Sequence, residues 1–269
     1  MKSPRKMRWG GLLLIAGLLL GSFGCQKLKA RDELNKGVAA YRDAKYPLAI
    51  EHFKEAVQLD PTLLNARLYL ATAYANQYVP GSETDENLKV GEQAIAEFQN
   101  VLQADPSNVG SIGGIASLYF QMKRMDDAKE YYLKQIQLEP NTPEAYYSVA
   151  VIDWTQTYQP RMVLKARLKL KPDDPIKDAK ERQGLAERNT PLIEEGMKML
   201  NKAMELRADY DDAMAYLNLL YREKADLAEA PQEREELLKT ADKLIEETLR
   251  IKKAKAEKAA HPSGPPAGG

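Results

Sequence analysis

Apolar residues recur along this chain with the period of an amphipathic helix, and the runs come in pairs divided by a short polar break. The clearest pair lies between Val109 and Thr142, a stretch of 34 residues. In its first run Ile112, Ile115, Ala116 and Tyr119 sit at i, i+3, i+4 and i+7, so they share one helical face. In its second run Ala128, Tyr131, Tyr132 and Gln135 repeat the spacing, until Pro140, with no N–H to donate, stops the helix. Lys123 to Asp126 leaves room only for a tight reversal, so the two runs are expected to pack antiparallel as a helix hairpin.

The same frame returns along the chain with small residues and rings at fixed places, the mark of a repeat architecture. In the central unit Ala116, Tyr119, Ala128, Tyr132 and Pro140 carry the pattern, with Gln135 where a small residue would stand. Ahead of it, Gly37, Ala49, Phe53, Ala56 and Pro61 form one set, with Tyr41 one place late, and Ala71, Tyr74, Ala94, Phe98 and Pro106 form another, with Val101 at the second small site. Behind it come Ala150, Gly196, Leu200, Ala203 and Ala208, then Leu217, Tyr221, Ala241, Ile245 and Thr248. On these residues the chain resembles the tetratricopeptide repeat (TPR) family from about Ala30 to Lys253. The resemblance implies an all-α fold, a right-handed α-solenoid of about five TPR-like helix hairpins, with units at 30–63, 64–108, 109–142, 143–210 and 211–253.

Three units are longer than the frame allows. Between Ala75 and Ala94, and again between Arg222 and Ala241, the chain takes nineteen steps where the frame needs eight. Between Trp154 and Gly196 it takes 42, through Pro160, Pro172, Pro175 and Pro191. All three insertions fall in the turn between the first and second helix of a unit, so they are expected on one edge of a solenoid. In the second unit Tyr78 to Asn87 is polar with a Pro-Gly turn signal, and in the fifth Ala230-Pro231 starts an extended second helix. Within the large insertion Met162 to Lys171 alternates apolar and basic residues as a short helix, and Ile176 to Arg188 has a helical pattern. As a whole, 155–190 reads either as a docking element or lid, or as a loop packed on its own repeat.

The ends lie outside this frame. Lys2, Arg5, Lys6 and Arg8 precede an apolar run from Leu12 to Leu20, and the small residues Ser22 and Gly24 lead to the chain's single cysteine, Cys25. Residues 1–24 therefore read as a secretory signal peptide. Cys25 stands where a bacterial lipoprotein carries its lipid, although Ser22 and Phe23 depart from the usual residues before it. The reading that follows is export to the cell envelope, as an outer-membrane lipoprotein facing the periplasm, with 25–29 as a short tether ahead of a first helix near Lys29 or Arg31. An uncleaved N-terminal anchor over Trp9 to Phe23 is the alternative. At the other end, 254–269 reads as a lysine-rich helix end followed by a Pro/Gly tail.

Charge and chemistry narrow the function. The 39 basic residues equal the 39 acidic ones, which argues against a nucleic-acid surface. The two histidines, His52 and His261, lie far apart in the sequence, and no metal-ligand spacing, phosphate loop or nucleophile motif occurs. The expectation is a non-enzymatic chain with no cofactor and no metal, a scaffold or adaptor for a protein partner, with the membrane reached through Cys25. The other reading kept open is a structural, self-associating lipoprotein without a peptide ligand. By the TPR resemblance the first helix of each unit lines a concave face, and on it fall Tyr41, Tyr69, Phe120, Tyr147, Trp154, Tyr216 and Arg222. The carboxylate-holding residues of some TPR proteins are absent, since Leu34 and Val38 stand where Lys and Asn are needed. Gly110, Gly113 and Gly114, costly in a helix, point to close backbone approach by a neighbouring helix or by a ligand.

Overall fold

The computed structural model describes the backbone of residues 10–260 and the side chains of 25–260. Within them the chain forms ten α-helices: α1 (Gly10–Arg42), α2 (Tyr46–Leu59), α3 (Leu64–Gln77), α4 (Asp85–Ala104), α5 (Val109–Gln121), α6 (Met125–Leu138), α7 (Pro143–Arg167), α8 (Ala179–Leu206), α9 (Asp211–Leu227) and α10 (Pro231–Ala260). Among the described residues there are no strands. Neighbours pack as hairpins, α1 with α2, α3 with α4, α7 with α8 and α9 with α10. Successive hairpins stack, giving an α-solenoid architecture in which a helix pair buries its apolar stripe only by meeting the next pair. The chain divides into two compact units, Met1–Ala128 and Lys129–Gly269, with the boundary inside α6.

Helix starts follow local chemistry. Pro47 and Pro143 sit in the first turns of α2 and α7, where a missing N–H costs nothing. Thr84 Oγ1, Asn108 Oδ1 and Asp178 Oδ1 accept from Asn87 N, Ser111 N and Glu181 N, capping α4, α5 and α8. Three reversals share one device. Ala44, Lys123 and Lys169 take positive φ of 57°, 60° and 54°, and the N–H groups of Lys45, Arg124 and Leu170 reach back to Ala40, Tyr119 and Lys165 carbonyls at 2.9, 2.8 and 2.9 Å. These are left-handed helix caps made without glycine, each with a steric cost of roughly 1–2 kcal/mol.

The second helix of one hairpin presses its ring into a gap left by glycine. A Cβ at Gly37 would lie 2.4 Å from the Phe53 ring, which is wholly buried, and one at Gly114 would lie 2.6 Å from Phe98. The close neighbour expected at the α5 glycines is therefore Phe98 of α4, at Gly114. At Gly110 only Asn108 Oδ1 comes near, at 3.6 Å.

Several boundaries differ from the sequence expectation. Residues 25–29 lie inside α1, because no proline interrupts the run from Gly10 to Arg42, so no extended tether precedes the first helix in the unprocessed chain. The apolar part of the signal segment and the anchor alternative rest on side chains outside the described residues, as does the tail from His261. Among the described residues no helix is long and apolar enough to cross a membrane. α10 continues to Ala260, past the expected end of the fifth unit. The large insertion lengthens α7 and α8 instead of forming a separate helix: α7 passes through Pro160 and α8 through Pro191. Near the first of these prolines the buried Asn189 donates to the Thr157 carbonyl at 3.0 Å, joining the two long helices. The leucines of the alternating stretch form a small core, with Leu164, Ile176 and Leu185 buried and Leu168, Leu170 and Leu227 packed on them. In the second unit the insertion is a loop stapled by Asn87, whose amide accepts from Val79 N at 2.8 Å and donates to the Val79 and Ser82 carbonyls at 2.9 and 2.8 Å.

Two glycine substitutions test this packing. Gly37→Ala is expected to destabilise by about 1–3 kcal/mol, because Phe53 cannot move aside. Gly184→Ala, with nothing within 4 Å of its new methyl, is expected to stabilise by up to about 1 kcal/mol. Denaturant unfolding of both variants checks the pair, and equal shifts would contradict the close contact. Replacing Lys123 by Gly in the same assay is expected to raise stability by up to about 1 kcal/mol, since it removes a left-handed non-glycine cap at some gain in unfolded-chain entropy.

Candidate functional site

The sequence-predicted residues separate into the two units. In the first, Tyr41 accepts a hydrogen bond from Asn76 Nδ2 at 2.8 Å and meets Tyr46 edge-on at 5.4 Å. Tyr69 is 38% exposed and stacks on Phe53 at 5.5 Å, so one face of its ring is already used. Phe120 is half-buried near the end of α5. These rings serve packing at least as much as they face solvent.

In the second unit the structure brings Tyr147, Trp154, Tyr216 and Arg222 together. Tyr147 and Trp154 are seven residues apart on α7, and Tyr216 and Arg222 lie on the neighbouring first helix α9, so helical spacing sets them on facing stripes. Tyr216 sits between the other two rings, its plane edge-on to both: 5.5 Å and 84° from Tyr147, 5.3 Å and 83° from Trp154. Tyr210 extends the row at 5.2 Å from Tyr147, and Tyr158 extends it at 4.9 Å from Trp154. Each such pair contributes roughly 0.5–1.5 kcal/mol beyond burial. Arg207 lies over Tyr210 at 4.6 Å and Arg161 over Tyr158 at 5.6 Å, so a guanidinium closes each end. Tyr147, Trp154, Tyr158 and Tyr216 are all half-buried and keep part of their surface toward solvent. Burial, aided by Tyr216 and Asp212, pushes the Tyr147 phenol up, so it remains neutral and hydrogen-bonding.

At the Tyr158 end the row runs into a cleft of about 80 Å³, lined by Trp154, Tyr158, Arg161, Leu219, Arg222 and Glu223 together with Pro172, Asp173, Arg234 and Leu238. Its base is a buried charge cluster. Asp226, 4% exposed, pairs with Lys165 Nζ at 2.5 Å and Arg161 Nη1 at 2.8 Å. Lys165, wholly buried, also donates to the Pro172 and Asp174 carbonyls at 2.6 and 2.9 Å. Arg234 of α10 donates to the Asp173 carbonyl at 2.7 Å. Arg161 Nε lies 3.0 Å from Glu223 Oε1 but out of line, so neither atom of that ion pair is hydrogen-bonded, and Glu223 Oε2 also has no partner. The insertion is thus fastened to α9 by ion pairs and to α10 by the Arg234 hydrogen bond to the Asp173 carbonyl, so it does not rest only on its own repeat.

A second buried carboxylate lies where α6, α7 and α8 meet. Asp153, wholly buried, accepts from Lys129 Nζ at 2.6 Å, and the same ammonium donates to Glu195 at 2.8 Å. Burial is the largest influence on both buried acids: it raises Asp153 to about 6 against the pull of Lys129, and Glu223 to about 7 against the pull of Arg161. Among the described residues no group of three His, Cys, Asp or Glu is placed to hold a metal. His52 lies with Nδ1 2.7 Å from Glu33 Oε2, which joins α1 to α2.

Sequence reasoning passed over Tyr158, Tyr210, Arg161, Asp226 and Arg234; by the TPR resemblance Glu223 falls on the concave face, and the structure buries it. Tyr158 follows Trp154 by one turn, Arg161 and Lys165 are four apart, and Glu223 and Asp226 three apart. Those spacings were the available signal, hidden because the frame assigns 155–190 and the stretch after Arg222 to insertions.

The geometry defines a class, a stacked helix-hairpin repeat protein with an aromatic face on its first helices. Comparison makes the family specific. The tetratricopeptide repeat family model matches residues 91–152. Hsp70-Hsp90 organizing protein 3 of Arabidopsis thaliana is 28% identical over 115 residues, which is 43% of this chain and 19% of that protein. The chain therefore spans about a fifth of that relative's length. A MamA structure from Desulfovibrio magneticus superposes with a TM-score of 0.57 at 16% identity, covering 84% of this chain and 96% of that one. YrrB, described as a TPR protein with an unusual peptide-binding site, superposes with a TM-score of 0.52 at 14% identity, covering 82% and 90%. Residues 91–152 thus match the tetratricopeptide repeat family, and the chain has the α-solenoid fold of TPR proteins, a fold associated with protein–protein interaction.

The buried acids give a pH test. In the unfolded chain both carboxyls titrate near pH 4, so between about pH 5 and 8 the native chain holds protons that the unfolded chain has released, and stability falls as pH rises through that window. Asp60, Asp105 and Asp211, held low chiefly by side-chain hydrogen bonds from Thr62, Asn108 and Lys255, act in the opposite sense and only at more acid pH. The expected outcome is a declining urea midpoint across that window, with a shallower decline in Glu223→Gln. Identical slopes in the two proteins would contradict the burial of Glu223.

Proposed function

We propose that this chain is a non-enzymatic adaptor of the bacterial cell envelope, held at a membrane through Cys25, which grips a segment of a partner protein on the α7–α9 aromatic face. The observation that carries this reading is the row of Tyr147, Tyr216, Trp154 and Tyr158, stacked edge to face yet only half-buried. Rings locked by their neighbours present contact area at little entropic cost, which is the usual make-up of a binding hot spot. An extended or helical segment laid between two parallel first helices would meet rings along the row, and guanidinium groups at both ends. The shared fold with YrrB, described as having a peptide-binding site, supports the mode. The Hsp70-Hsp90 organizing relative offers less about the partner, because Leu34 and Val38 replace the residues of a carboxylate-holding face.

The envelope assignment rests on the basic residues from Lys2 to Arg8, the apolar run after them, and Cys25, the chain's only cysteine, which is exposed on α1. Cleavage before Cys25 would remove the first half of α1 and leave the lipid on a helix that continues directly into the first hairpin.

Two measurements test the proposal. Cys25→Ala is expected to move the protein from the membrane pellet to the soluble fraction, and retention in the pellet would favour an N-terminal span. Crosslinking capture from intact envelopes is expected to recover a partner with the native chain and to lose it with Tyr147→Ala/Trp154→Ala, provided that variant keeps its helical circular dichroism. Capture of the same proteins by both forms would move the binding surface elsewhere, and recovery of this chain alone would favour self-association.

A further inference from the structure

The insertions of the fourth and fifth units build a second surface that the aromatic face does not use. On the edge of the Lys129–Gly269 unit, the extended N-terminal half of α8 meets the turn between α9 and α10. A cleft of about 200 Å³ opens there, lined by Ala186, Thr190, Ile193, Glu194, Lys224, Leu227, Ala228, Glu229 and Glu233. Its floor is apolar. Ile193 is 1% exposed, and Leu227 packs against both the main core of this unit and the small core of the insertion, so the floor is held from two sides. The volume lies below the roughly 300–1,000 Å³ of small-molecule sites and suits one or two side chains.

The rim is acidic. Glu194, Glu229 and Glu233 are exposed, and the single cation among the lining residues is the half-buried Lys224. The ion pairs of this region use other carboxylates: Lys129 takes Glu195, Arg161 takes Glu223 and Asp226, and Lys165 takes Asp226. Among the described residues the three rim glutamates therefore keep an uncompensated charge. Glu233 lies in the first turn of α10, where an anion suits the helix dipole. That accounts for one of the three; Glu194 lies deep within α8 and Glu229 ahead of α10.

We propose that this cleft docks a protein segment in which an aliphatic side chain is flanked by lysine or arginine. The aliphatic group fills the space over Ile193 and Leu227, and the flanking cations meet Glu194 on one side and Glu229 and Glu233 on the other. Charge complementarity selects this occupant, since an apolar segment flanked by acids would set like charges across the rim. The site is separate from the α7–α9 face, so it survives or fails independently of the reading above.

The test uses the full chain with isotope-labelled isoleucine and leucine methyls, titrated with the peptide Gly-Lys-Leu-Lys-Gly, with Gly-Glu-Leu-Glu-Gly and Gly-Lys-Ser-Lys-Gly alongside. The expected result is saturable movement of the Ile193 and Leu227 methyls with the first peptide only, weakened by added salt. Glu194→Gln/Glu229→Gln/Glu233→Gln is expected to weaken that binding about tenfold, as loss of a few exposed ion pairs would. Ala186→Phe, which fills the mouth, is expected to abolish it. Tyr147→Ala/Trp154→Ala should leave it unchanged. Equal movement with the acidic peptide, no movement with any peptide, or methyl shifts that follow protein dilution with no peptide present would each overturn the proposal, the last by assigning the cleft to a second copy.

Discussion

Close approach of helices at a few small residues is the constraint on which the rest of this structure depends. Where Gly37 of α1 faces Phe53 of α2 and Gly114 of α5 faces Phe98 of α4, a single added methyl would overlap a ring, so these helices pack at contact distance within and between hairpins. Gly196 does the same against Leu220 and Asp153. A repeat protein has no central core to compensate for a loose contact, because each hairpin gains its burial only from the next. The spacing between first helices follows from this packing. It is what places Tyr216 of α9 within ring contact of both Tyr147 and Trp154 of α7.

Charge does in the insertion what small residues do in the hairpins. Lys165, Arg161, Asp226 and Glu223 lie inside the protein and tie α7 to α9, and Arg234 ties α10 to the loop at Asp173. Buried ion pairs contribute little net stability against apolar packing of the same volume, but removing one partner costs about 3–5 kcal/mol, so such clusters fix one arrangement more than they strengthen it. In this chain the arrangement fixed is that of two long helices laid over the next repeat. Two surfaces result, an aromatic row on the first helices and an acid-rimmed cleft on the edge where the insertions meet.

Much of the fold was legible in the sequence. Helices α3, α5, α7 and α9 start at Leu64, Val109, Pro143 and Asp211, where proline stops, caps and small residues supply local signals. Pro231 likewise opens α10. The insertion was less legible. Prolines 160 and 191 read as breaks, yet α7 and α8 continue through them, with packing against the partner helix and the Asn189 bond to Thr157 taking over from local propensity. The face was legible in part. The TPR resemblance named Tyr147, Trp154 and Tyr216, whereas Tyr158 and Arg161 required knowing that α7 does not end where the repeat frame ends. The charge cluster depends on which helices meet across the insertion, which periodicity along one chain does not encode.

An aromatic row stays half-exposed at a cost in unburied apolar area, and a partner laid on it recovers that area. The most direct test of this central claim is site-specific photocrosslinking in intact cells, with benzoylphenylalanine placed at Tyr216 and, separately, at Leu249, an exposed apolar position of α10. The account predicts a discrete crosslinked product from position 216 and none from 249. The same products from both positions, or products from 249 alone, would contradict it.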